Sequence, residues 1–71
     1  MNITDIKAVM TGTHELLIEN YKGIVDYQET RILISGKSEK LLVLGKNLCI
    51  DYYSRYDLNI RGRIESLQWI E

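Results

Sequence analysis

The stretch YDLNIRGRI, Tyr56 to Ile64, decides the fold class. Leu58, Ile60 and Ile64 fall on one side of a two-residue repeat, and Asp57, Asn59, Arg61 and Arg63 fall on the other. That period belongs to a half-buried strand, one face apolar and one wet. A helix would need apolar spacings of three and four, and its interior would not favour Ile, Val, Tyr and Thr.

The same period recurs outward from this stretch. Leu16 and Ile18 share a face in HELLIEN, and Thr30, Ile32 and Ile34 share one in TRILIS. Leu41 and Val43 oppose Leu42 and Leu44 in KLLVLG, and Leu48, Ile50 and Tyr52 oppose Cys49, Asp51 and Tyr53 in NLCIDYY. In RIESLQWIE the alternation slips after Ile64, which predicts a bulge at Glu65–Ser66 with Leu67 and Trp69 on one face beyond it. NITDIKAVMTG also fits a helical face through Ile3, Ile6 and Met10 with Asn2 as cap, and is read as a first strand. Thr11–Thr13 and Ser35–Glu39 carry the glycine and small polar residues of hairpin loops. Gly23, Gly45 and Gly62 interrupt apolar alternations, where glycine marks a bulge, kink or tight turn. The expected architecture is all-β: a small antiparallel β-sandwich of about seven or eight short strands, with a small closed barrel as the alternative.

Seventy-one residues make a single domain, 1–71. So short a chain buries a modest fraction of its surface and usually needs a staple. One cysteine precludes an internal disulfide, while 45% hydrophobic residues suffice for a core and an interface. A homo-oligomer follows, with a dimer favoured. The net charge of −1, with both signs interspersed, disfavours nucleic acid and polybasic membrane anchoring. The longest apolar runs, such as Leu41–Leu44, fall far short of a membrane span. Asp5 and the lack of an apolar stretch at the N-terminus argue against a signal peptide. A lone cysteine suits a reducing compartment, and the cytoplasm is expected.

No residue pattern specifies catalysis. His14 reads as an exposed turn residue rather than a general base. Cys49, flanked by Leu48, Ile50 and Asp51, reads as an inert, buried or half-buried thiol. Asp26, Glu29, Asp51 and Asp57 read as solvated carboxylates at strand ends rather than an acid–base pair. Arg55, Arg61, Arg63 and Lys46 could form a basic patch, but Asp57 shares the strand face of Arg61 and Arg63, as does Glu65 if the register holds through Gly62, and cross-strand ion pairing is the more economical reading. No P-loop, zinc spacing, nucleophile elbow or dinucleotide fingerprint occurs. Catalytic residues, metal ligands and cofactors are therefore expected to be none. The most suggestive set is aromatic: Tyr21, Tyr27, Tyr52, Tyr53, Tyr56 and Trp69, each with a polar handle, in a chain without phenylalanine. Such residues rim cores and line interfaces. They could also stack bases, which leaves a single-stranded nucleic-acid-binding barrel as the alternative function.

LLIENYKGIV carries a resemblance. Leu17, Ile18, Glu19, Asn20, Gly23 and Ile24 match the apolar pair, Ile-Glu-Asn, glycine and aliphatic of the YabP/YqfC family of small sporulation proteins from spore-forming Firmicutes. LLVLGKNLCI and RGRIESLQWI stand where that family has its two later glycine elements, through Gly45, Leu48, Ile50, Gly62, Ile64 and Leu67. The likeness runs from about Ile3 to Ile70 and is closer to the YqfC branch. It implies a β-sandwich-like fold and a non-enzymatic protein-interaction or structural role in spore formation. It also implies a mother-cell protein working with other sporulation proteins, membrane-bound ones among them, and acting at the forespore membrane through a partner. In that frame Asn20 shapes a turn with its side chain and Gly23 supplies backbone freedom.

Overall fold

The computed structural model describes residues 5–71, so the expectations placed on Asn2 and Ile3 lie outside it. It contains six strands: β1 Lys7–Thr11, β2 Glu15–Glu19, β3 Gly23–Gln28, β4 Arg31–Ser35, β5 Lys40–Tyr53 and β6 Asp57–Ile70. All pairings are antiparallel, and the strands form one sheet in the order β1-β2-β6-β5-β4-β3. The class is all-β, as expected. The strand count is lower than seven or eight because β5 and β6 each run 14 residues, unbroken through their glycines and bulges. The sheet is not closed, since β1 and β3 remain its two ends.

This sheet cannot be flat. β2 and β3 stand four places apart in the order, which at about 4.8 Å per strand is ~19 Å. Yet Glu19 and Gly23 are four Cα steps apart, a reach of at most about 14 Å. The sheet must fold over, and β5 and β6 are the strands that bend. Half of each serves one side: β5 pairs with β4 over Lys40–Leu44, and β6 pairs with β2 over Asp57–Arg61.

Three irregularities produce the bend. Glu65 is an extra residue of β6 between the pairs Leu44↔Ser66 and Gly45↔Ile64. Asn47 and Leu48 of β5 face only Gly62 of β6, and Asp51 is an extra residue of β5. At the crossing the two chains come too close for side chains. A Cβ on Gly45 would sit 2.0 Å from the Arg63 carbonyl oxygen, and one on Gly62 would sit 2.5 Å from that of Asn47. Gly62 also holds φ +136°, which glycine adopts without strain.

The two halves repeat one plan. Leu16 and Ile18 pair with Ile60 and Leu58, as Ile32 and Ile34 pair with Val43 and Leu41. The loop carbonyls of Thr13 and His14 accept the N–H groups of Ile64 and Gly62. The loop carbonyls of Thr30 and Glu29 likewise accept those of Gly45 and Leu48. Each hairpin thus clamps the bend of one long strand. The inward residues meet in one core of Ile6, Leu16, Ile18, Ile32, Ile34, Leu41, Val43, Leu48, Leu58, Ile60 and Ile64. Burying each such side chain contributes about 1.5–3 kcal/mol. No helix among the described residues is long and apolar enough to cross a membrane.

Candidate interaction surface

The aromatic residues do not form one patch. Tyr21, Tyr52, Tyr53 and Tyr56 gather at the β5–β6 turn. Tyr21 packs against the core and its phenol donates to the Ser54 carbonyl. Burial, followed by the charges of Tyr53 and Asp57, pushes its pKa up. The Tyr52 phenol lies 3.4 Å from an Asp57 carboxylate oxygen, whose charge is the main cause of its raised pKa. Tyr53 and Tyr56 are each 69% exposed, and the Arg55 guanidinium lies 5.9 Å from the centre of the Tyr56 ring. Tyr27 stands apart on β3, and its hydroxyl accepts the Ile50 N–H at 2.9 Å. Trp69 is in the other half of the molecule, opposite Leu41 and 51% exposed.

The six motif positions have separate structural roles. Ile18 is core. Glu19 faces outward between Lys7 and Asp57. Asn20 takes the left-handed conformation, φ 66°, its N–H donating to the Tyr56 carbonyl and its side-chain amide to that of Asp5. Asn20 thus supplies the backbone freedom expected of Gly23, whose φ is not positive. Gly23 instead starts β3, where a Cβ would meet only the Ser35 hydroxyl, at 3.3 Å. Gly45 and Gly62 make the crossing described above.

Several of the polar candidates are ion-paired. Arg31 Nε meets Asp26 at 2.8 Å, and this hydrogen bond is the largest cause holding the Asp26 carboxyl below its usual range. Arg61 lies between Glu15 and Asp51, at 3.5 and 3.3 Å, and Arg63 lies 3.9 Å from Glu65. His14 is exposed in the β1–β2 loop and Glu29 in the β3–β4 loop. Cys49 is exposed, not buried, because it sits on the outer face of β5, opposite Arg61 in register. Among the described residues no three His, Cys, Asp or Glu side chains gather as a metal site. An open groove of about 360 Å³ runs over the outer face of β1, β2 and β6, lined by Val9, Leu17, Tyr52, Glu15, Asn59 and Arg61. Asn59, expected in water, is only 6% exposed there and donates to Glu15 at 3.3 Å. The groove's polar groups are therefore engaged with each other.

The opposite half differs at equivalent positions. Where the first half shows Leu17, Asn59 and Arg61 outward, the second shows Leu33, Leu42 and Leu44, each half-buried. Val25 and Ile70, 54% and 41% exposed, flank them. The core of the described residues lies on the other side of the sheet, so the leucines form an apolar outer strip. It adjoins the segment Ser66–Ile70 of β6, which among the described residues pairs with β5 alone. The alternation sets these leucines on the face opposite Ile32, Ile34, Leu41 and Val43, without saying which face is outer. The available signal was the two-sided apolar run Leu41–Leu44, which one buried face does not require.

The model of one protein family, described as the YabP family, matches residues 3–71. No curated protein and no solved structure matches.

Proposed function

The chain belongs to the YabP family, and from that premise we propose that it is a non-enzymatic protein-interaction module of spore formation, of the YqfC branch. In this reading it works in the mother-cell cytoplasm as a homo-oligomer. It docks other sporulation proteins and reaches the forespore membrane through a membrane-bound partner, without binding nucleic acid or inserting into lipid itself. One observation carries the reading: the outer strip of Leu33, Leu42 and Leu44 beside a strand edge that has no neighbour among the described residues. Apolar side chains and unpaired backbone groups together are what a protein partner covers. The ion-paired state of Arg61 supports a protein partner over a phosphate backbone.

The test is a Leu42→Gln, Leu44→Gln double variant, expressed in sporulating cells in place of the wild type. Both residues face outward, so the fold should survive, as circular dichroism of the purified protein would confirm. Heat-resistant spore counts should fall, and proteins co-purified by the wild type should be lost. Normal spore counts with a folded double variant would remove this surface from the function.

A further inference from the structure

Among the described residues, one stretch of sheet edge carries no bulge, no charge and no capping side chain. On β3 the register slips at Val25, a bulge that turns the edge away. On the second half of β5 the Tyr27 hydroxyl takes the Ile50 N–H, and Asp51 bulges. The β1 edge opens with the charge of Lys7. The segment Ser66–Ile70 of β6 has no bulge, no proline and no charge.

The repeat of plan between the two halves locates the difference. Ile50 lies opposite Ile60 as Leu67 lies opposite Val43. Tyr27 lies opposite Ile32 as Met10 lies opposite Leu16. So the register position whose tyrosine seals the β5 edge is held in the other half by methionine, and a thioether is a poor hydrogen-bond acceptor.

Backbone alternation identifies the open groups. The Gly45 N–H points to β4, where it meets Thr30. Even-numbered residues Lys40, Leu42 and Leu44 therefore face β6, and their partners Ile70, Gln68 and Ser66 face β5. Leu67 and Trp69 are left aiming N–H and C=O away from the sheet.

We propose that this edge docks the same edge of a second copy of the chain, antiparallel, with the two-fold axis at Gln68. Only that register sets Leu67 of one copy opposite Trp69 of the other on both sides of the axis. Both are hydrogen-bonded pairs, so all the outward groups of Leu67 and Trp69 are used at once. The same register lays an aliphatic against an aromatic side chain twice, a favourable cross-strand pair, and covers Trp69. It also sets Glu65 against Glu71 of the second copy, which holds the affinity down and makes added salt tighten it. A register centred on Leu67 would bring Arg63 towards Glu71, and salt would loosen it. The inference deepens the interaction-module reading and rests on it, naming one partner as the chain itself.

Sedimentation velocity of the full chain, from low micromolar to submillimolar, tests the association. A reversible dimer that tightens with sodium chloride is expected. Trp69→Pro removes an outward N–H that bonds nothing in the single chain, so the fold should keep its melting temperature. The dimer should weaken by roughly thirtyfold or more, as two of four ladder bonds are lost. Gln68→Cys, in a chain where Cys49→Ser removes the exposed native thiol, should oxidise to a covalent dimer. Opposed Cα atoms at such a site stand about 4.5 Å apart, within disulfide range. A wild type monomeric throughout overturns the proposal, and so does an undiminished dimer in Trp69→Pro. Should Trp69→Pro unfold, the Gln68→Cys cross-link decides, and its absence counts against the edge. A monomer whose Leu42→Gln, Leu44→Gln variant still fails in spores removes the edge and leaves the module. A dimer whose double variant sporulates normally does the reverse.

Discussion

The Ile50 N–H donates to the Tyr27 hydroxyl across 2.9 Å, from the free edge of β5 to the last strand of the sheet. A side chain here does what a seventh strand would do in a closed barrel. Tyr27→Phe keeps the ring and removes the acceptor. The variant should lose about 1 kcal/mol in a urea melt, the net worth of one hydrogen bond. Amide exchange at Ile50 should also quicken, while Leu48, bonded to the Glu29 carbonyl, keeps its protection. An Ile50 amide that exchanges as slowly in the variant would show that the edge is sealed by something else.

The glycines should differ sharply in tolerance. Gly45→Ala places a methyl group 2.0 Å from the Arg63 carbonyl oxygen, and both backbones at that crossing are fixed by the β3–β4 loop and the core. A loss of about 3 kcal/mol or more is expected. Gly23→Ala meets only the Ser35 hydroxyl at 3.3 Å, a side chain able to turn aside. Its cost should stay within about 1 kcal/mol. Equal denaturation midpoints for the two variants would refute the crossing as the reason for Gly45.

Much of this structure was legible in period two. Alternation puts Leu16 with Ile18, Ile32 with Ile34, Leu41 with Val43 and Leu58 with Ile60 on shared faces, and all of these residues are fully buried. The slip after Ile64 correctly announced the Glu65 bulge. The glycines were less explicit. Glycine inside an alternation marks a bulge, kink or tight turn, and Gly45 and Gly62 do stand at the bend, but that a missing Cβ lets two long strands cross there is visible only in the partner strand. Asn59 was placed in water by its polarity, and is covered because Glu15 and Arg61 close over it. The candidate surface was hardest to read. An open edge consists of backbone groups that every sequence carries, and β6 became one through the bend, not through its own residues.

Asn59 stands where the other half has Leu42, which makes Asn59→Leu informative. The substitution removes a hydrogen bond of 3.3 Å to Glu15, but leaves that carboxylate its contact with Arg61. No buried acceptor is orphaned, and an apolar side chain enters a place bordered by Leu17 and Val9. Stability should stay level or rise by about 0.5–1 kcal/mol. A loss above about 2 kcal/mol in chemical denaturation would show the Glu15–Asn59 contact to be far stronger than its geometry indicates.

Tyr21 makes part of the fold's stability sensitive to alkaline pH. Its phenol pKa is raised above 10.0, first by burial and then by the charges of Tyr53 and Asp57. A raised folded-state value means that the folded protein holds the phenol proton more tightly than the unfolded chain. The resulting stabilisation is complete below the unfolded value of 10.0 and drains away as pH rises through the folded one. Tyr52, raised chiefly by the Asp57 charge, acts in the same direction but is open to solvent and contributes little. Tyr21→Phe gives up the hydrogen bond to the Ser54 carbonyl, so it should be less stable at neutral pH. It should also lose less stability than the wild type between neutrality and the alkaline range, because its ring no longer ionises. Thermal melts of both proteins across that range measure the two slopes. Parallel slopes would mean that the Tyr21 phenol does not govern the alkaline loss.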